Sequence, residues 1–62
     1  MKYIVNFVHD DEANVWIATS NDIDGLVLES ESYDSLVEKV KNAVPELLKL
    51  NGQPAASTLD IR

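Results

Sequence analysis

The chain contains no cysteine, so neither a disulfide nor a thiolate metal site can help it fold. It has only two glycines and two prolines, too few for a glycine-rich phosphate loop or a low-complexity linker. No apolar run approaches the roughly 18 residues that a membrane span needs. The N-terminus carries one lysine, an apolar run interrupted by Asn6, and then His9-Asp10-Asp11-Glu12, which does not read as a signal peptide. Between Tyr3 and Glu38 there is no lysine or arginine at all. What remains is a chain of 62 residues, 45% hydrophobic, with five basic residues against eleven acidic ones. That apolar fraction is too high for a disordered tail. The length allows one domain whose own core is marginal, since so short a chain buries only about 60% of the surface it exposes unfolded. A small, acidic, cytoplasmic domain is expected.

Nine carboxylates fall in the stretch without cations: Asp10, Asp11, Glu12, Asp22, Asp24, Glu29, Glu31, Asp34 and Glu38. The cations are Lys2, Lys39, Lys41, Lys49 and Arg62, dispersed in a chain of net charge −6. Nucleic-acid binding needs several cations to displace counterions from phosphates, so this balance argues against it. An acidic surface keeps a small protein soluble, and it also complements a basic protein partner. Composition alone does not choose between the two.

Lys2 to Val8 is rich in β-branched and aromatic residues and reads as a strand, with Tyr3, Val5 and Phe7 on one face and Ile4 and Val8 on the other. Asn14 to Thr19 reads as a second strand, and the polar link His9–Ala13 favours an antiparallel hairpin. Asn21-Asp22-Ile23-Asp24-Gly25 is a turn, followed by a short third strand, Leu26–Glu29. From Ser32 the period changes to about 3.6. Ser32 is a good N-cap, Asp34 suits the positive end of the helix dipole, and Asn51-Gly52 reads as a left-handed stop. Leu36, Val37, Val40, Ala43, Val44, Leu47 and Leu48 form the apolar stripe. Pro45 within it predicts a bend, or a break and restart. Gln53–Ala56 reads as a loop and Ser57–Arg62 as a possible edge strand. The expected fold is α+β: a two-layer sandwich of an antiparallel β-β-β-α meander with a possible fourth edge strand. Residues 1–52 would form the domain and 53–62 a C-terminal loop and strand.

No constellation speaks for catalysis. Carboxylate pairs drawn from Asp10, Asp11 and Glu12, or from Asp22 and Asp24, sit in exposed turns, where nothing separates two pKa values. His9 is the only histidine, and the serines have no second one to activate them. Ser20 to Glu31 matches part of a calcium loop, with Asp22, Asp24, Gly25 and Glu31 at matching positions. However, the first position is a serine, the ninth is Leu28, and the flanks read as strands where the motif needs helices. A hairpin turn explains the segment better, and no catalytic residue, metal or cofactor is expected. Trp16, the only tryptophan, reads as half-buried in a sheet face, or as an interface anchor.

Taken together, Val15-Trp16-Ile17-Ala18, the turn Asp22-Ile23-Asp24-Gly25-Leu26, the cap Ser32, and Val44-Pro45-Glu46-Leu47-Leu48 with Asn51-Gly52 resemble the HicB-like antitoxin domain. More closely, the chain resembles a small bacterial family of unknown function grouped with it, over residues 2 to 52. The family turn usually has proline before the glycine, where this chain has Asp24. The resemblance implies a partial ribonuclease-H-like fold without nuclease activity, which neutralises a small basic mRNA-cleaving toxin. DNA binding is not carried over, because residues up to Arg62 leave no room for a helix-turn-helix. On this reading Asp22, Asp24, Glu29, Glu31 and Asp34, with Trp16, are the partner-binding candidates, the acids forming one patch at an end of the sheet and the helix start. The alternative is a self-associating structural domain with no toxin partner. A homodimer is expected in either case, because one helix covers one sheet face and the strands carry apolar residues on both.

Overall fold

The computed structural model describes residues 2–62. Its elements are β1 (Lys2–Asp10), β2 (Val15–Thr19), β3 (Val27–Ser30), α1 (Tyr33–Leu50) and β4 (Thr58–Ile61). The strands form a single sheet in the order β3-β2-β1-β4, with β1–β2 and β2–β3 antiparallel and β4 parallel to β1. The fold is thus α+β, with one helix layered on a four-stranded mixed sheet. The three-stranded meander expected from sequence is present, and Thr58–Ile61 supplies the fourth, edge strand.

The first hairpin is tighter than its polar sequence suggests. Asp10 Oδ1 accepts the backbone N–H groups of Glu12 (3.0 Å) and Ala13 (3.3 Å), and Asn14 takes a left-handed φ of 56°. Those two devices reverse the chain within Asp11–Asn14, so β1 continues past Val8 through His9 and Asp10. The register pairs His9 with Trp16 and Phe7 with Ala18, while Trp16 and Ala18 face Ser30 and Leu28 of β3. With Tyr3 and Val5, these residues make the helix-facing side.

The helix starts where expected. Ser32 is extended (φ −113°, ψ 132°), and its Oγ accepts the Ser35 N–H at 3.3 Å. The far end is a Schellman cap: the Gly52 N–H reaches the Lys49 carbonyl at 3.2 Å and the Gln53 N–H reaches Leu48 at 2.9 Å. Gly52 takes the positive φ of 67° that this geometry requires, next to an Asn51 that stays right-handed. Between the caps the helix is uninterrupted, so the expected break and restart at Pro45 does not occur. Val44 and Leu48, buried on either side of Pro45, hold the two halves to the sheet. Lys41, whose carbonyl loses its partner at Pro45, is exposed, so water can satisfy it.

The core consists of Tyr3, Val5, Ala18, Ile23, Leu26, Leu36, Val40, Val44 and Leu48. Two of these, Ile23 and Leu26, come from the turn between β2 and β3, yet Ile23 is fully buried. Residues 53–62 belong to the same unit. The Tyr3 hydroxyl donates to the Pro54 carbonyl at 2.7 Å, Ala56 and Leu59 pack against the core, and backbone bonds link Arg62 with Val5 and Phe7. Among the described residues, none forms a layer over the opposite sheet face. The register places Ile4, Val8, Val15, Ile17 and Val27 there, with Val8 59% and Val27 71% exposed.

Candidate functional site

The turn that carries Asp22 and Asp24 is held by side-chain hydrogen bonds. Ser20 Oγ donates to the Ile4 carbonyl at 2.6 Å and accepts the N–H groups of Asp22 and Ile23. Asp22 Oδ2 in turn accepts the Ile4 N–H at 2.8 Å. Beyond the helix C-terminus, Asn51 Nδ2 donates to the Asp24 carbonyl and Gln53 Nε2 to the Asp22 carbonyl, both at 2.9 Å. The Asp22–Gly25 turn is therefore tied to β1 and to the C-terminal end of α1. It lies between strands, with Asp22 already spent on a backbone amide, an arrangement unlike a helix-flanked calcium loop. Among the described residues, no group of three or more His, Asp or Glu is placed to hold a metal ion.

Glu29, Glu31 and Asp34 lie elsewhere. Glu29 lies within β3, opposite Ile17, while β3 separates Glu31 and Asp34 from the turn and places them at the N-terminal end of α1, with Asp34 in its first turn. The single acidic patch expected from sequence is thus two groups. Four residues of strand at about 3.3 Å each put Glu31 and Asp34 roughly 13 Å from the turn along β3. Among the described residues, Lys39 is the cation on this flank, and it donates to the Glu29 backbone carbonyl at 3.0 Å.

Trp16 is half-buried on the helix-facing side at the same end as Glu31 and Asp34. Its ring lies 4.9 Å from that of His9 and 5.2 Å from that of Tyr33, and Tyr33 also meets Phe7 at 5.1 Å. His9 Nδ1 is 2.7 Å from Asp11 Oδ1, so the ring proton on Nδ1 is donated to that carboxylate. The sequence reading missed this row because its members come from β1, β2 and α1. The alternation of β1 does place Phe7 and His9 on one face, and Tyr33 directly follows the helix cap.

The charges are polarised across the molecule. Lys2 and Arg62 both reach Asp60, at 3.6 and 2.9 Å, on the β4 edge. The hydrogen bond from Arg62, helped by the positive charge of Arg62 and Lys2, lowers the Asp60 pKa from its ordinary 3.8 despite the opposing effect of burial. Lys41 and Lys49 flank a groove of about 480 Å³ beside β4, floored by Val44, Leu48 and Leu59. Among the described residues, Asp10, Glu12, Asp22, Asp24, Glu29, Glu31, Asp34 and Glu46 have no ion-pair partner. Most of that uncompensated charge surrounds the β1–β2–β3 half.

The family described as "Domain of unknown function (DUF1902)" matches residues 2–62. The chain is also similar to the crystal structure of the hypothetical protein TTHA1013 from the extremely thermophilic bacterium Thermus thermophilus, with 35% identity and a TM-score of 0.85. That match covers 100% of this chain and 87% of the other. Comparison with curated proteins gives no match. No helix among the described residues is long and apolar enough to cross a membrane.

Proposed function

The chain belongs to this family of unknown function, DUF1902, and from that premise we propose that it is a non-enzymatic, cytoplasmic binding module of the HicB-like antitoxin kind. Its partner is a small basic mRNA-cleaving toxin, which it masks. The observation that carries this reading is the polarity of charge. Unpaired carboxylates at both ends of β3, Asp24 at one and Glu29, Glu31 and Asp34 at the other, meet only Lys39 on their own flank. Such a field speeds encounter with a basic surface and disfavours acidic partners. Asp22 contributes charge while its carboxylate also holds the turn.

Co-expression with a short basic protein encoded next to the gene tests the proposal. A complex should co-elute, and its affinity should fall at least about tenfold as salt rises from low to high ionic strength, because exposed charges are screened. The triple variant Glu29→Gln, Glu31→Gln, Asp34→Asn should slow association while leaving the fold intact. A neighbour that is neither basic nor toxic when expressed alone would remove the proposal's support.

The uncovered sheet face favours a second reading, self-association without a toxin. Ile4, Val8, Val15, Ile17 and Val27 form an apolar centre that a soluble monomer rarely exposes. Light scattering at tens of micromolar distinguishes it: a dimer disrupted by Val8→Asp supports it, and the 6.9 kDa monomer mass sinks it.

A further inference from the structure

The half-exposed aromatic row at the helix N-terminal end is more than a cap on the core. Helix-facing positions nearer the middle of the sheet are closed off, with Val5 and Ala18 fully buried, as is Leu36 on the helix above them. At this end the cover is thin, because α1 begins only at Tyr33, and its first side chain is what lies over Phe7 and Trp16. Tyr33 is 41% exposed, and Trp16 and His9 are half-buried. The Trp16–Tyr33 rings stand at 79° and the His9–Trp16 rings at 61°, both edge-on. In an edge-on pair the ring that offers its edge has neither face covered by that partner, and the exposure of Tyr33 leaves this end of the row at the surface, within reach of a ligand.

The surroundings specify the ligand's charge. Asp11, bonded to His9 and with its side chain 95% exposed, stands at one end of the row. Glu31 and Asp34 bracket Tyr33 in the chain at the other, and neither has an ion-pair partner among the described residues. An electron-rich face set among uncompensated carboxylates attracts a cation twice over, through the ring quadrupole and through Coulomb attraction. A row built only to close the core would gain nothing from that fringe.

We propose that the Phe7–Tyr33–Trp16–His9 row seats an arginine side chain of a basic protein partner. Its guanidinium lies on the exposed ring of Tyr33 beside Trp16, with Asp11, Glu31 and Asp34 around it. Arginine fits better than lysine because its planar, weakly hydrated guanidinium stacks on a ring, whereas an ammonium holds its water. This rests on the reading of the chain as a binder of basic proteins and adds the residue type that anchors the contact. Aromatic residues at the centre of an interface commonly carry most of its binding energy.

Trp16, the sole tryptophan, makes the test direct, because its fluorescence reports this row and no other. The probes are three capped tripeptides, Lys-Arg-Lys, Lys-Lys-Lys and Lys-citrulline-Lys, titrated into the whole chain at low ionic strength. The arginine peptide should shift Trp16 emission saturably and bind about two- to fivefold more tightly than the equally charged lysine peptide. The citrulline peptide, which keeps the shape and loses the charge, should bind more weakly than both. Tyr33→Leu, which retains apolar bulk without a π-face, should erase the preference for arginine. Equal binding of the arginine and lysine peptides to the unaltered chain, or an unmoved Trp16 emission, overturns the proposal without any variant having to fold. A preserved arginine preference in Tyr33→Leu overturns it too. Because no toxin is present, an arginine preference alongside a failed toxin co-elution would sink the toxin reading alone. The opposite pair of results would sink the arginine seat alone.

Discussion

Replacing Ile23 with alanine isolates the least obvious part of the core. Ile23 lies in a turn between two aspartates, where an apolar side chain ordinarily reaches solvent, yet it is fully buried beside Leu26, Leu36 and Val44 in the same cluster. Truncation removes three carbons and leaves a cavity that the surrounding turn, pinned by Ser20, Asp22, Asn51 and Gln53, cannot easily collapse to fill. For a well-fixed site, Ile→Ala costs about 2–5 kcal/mol, and the upper half of that range applies here. At about 0.05–0.15 kcal/mol per residue, the whole domain is worth only about 3–9 kcal/mol. One substitution in a turn should therefore remove a third of the stability or more. Urea unfolding followed by Trp16 fluorescence reads it: with a slope near 1 kcal/mol per molar, the midpoint should fall by about 3.5–5 M. Asp24→Asn, next in the chain and exposed, should move the midpoint little. A loss below about 1 kcal/mol for Ile23→Ala would refute the claim that this turn is part of the core.

Pro45→Ala should stabilise the protein by about 1–3 kcal/mol, since it returns an N–H to the Lys41 carbonyl within a helix that is already continuous; a melting temperature that stays level or falls would contradict this. Asp60 sets a pH dependence. Because its folded pKa is lowered, chiefly by the Arg62 hydrogen bond, it adds stability above its ordinary value of 3.8 and loses it as pH falls through the lowered folded value. The melting-temperature difference between the natural chain and Arg62→Ala should therefore be present at neutral pH and vanish in strong acid. It should also shrink in high salt.

Local pattern carried much of this architecture. The alternation of Tyr3, Val5 and Phe7, the Ser32 cap and the stripe from Leu36 to Leu48 are short-range features, and each element forms close to where its pattern lies. What the sequence hid depends on distant partners. The parallel pairing of Thr58–Ile61 with β1 joins residues more than fifty positions apart, and nothing near either strand encodes its direction. Ile23 reads as a turn residue because its neighbours Asp22 and Asp24 are polar, while its burial is decided by a helix that comes later. The acids misled for the converse reason. Asp22, Asp24, Glu29 and Glu31 are close in sequence, but the extended chain of β3 carries them to opposite ends of the sheet. The aromatic row needed the His9–Trp16 register, which alternation alone does not supply.

The placement of β4 also governs the order in which the fold can be completed during synthesis. β1 occupies an interior position in the sheet, yet it leaves the ribosome first, and its outer neighbour is made of the last residues described. β2, β3 and α1 follow at short range and can assemble as they emerge. The amide of Phe7, however, waits for the Arg62 carbonyl. At about 5–20 residues per second, roughly 3–10 seconds separate the two. For that interval one side of β1 is an unpaired strand edge, open to addition of any passing strand. The nascent chain is most vulnerable to mispairing not where its core is thin but along the flank of β1 that β4 closes.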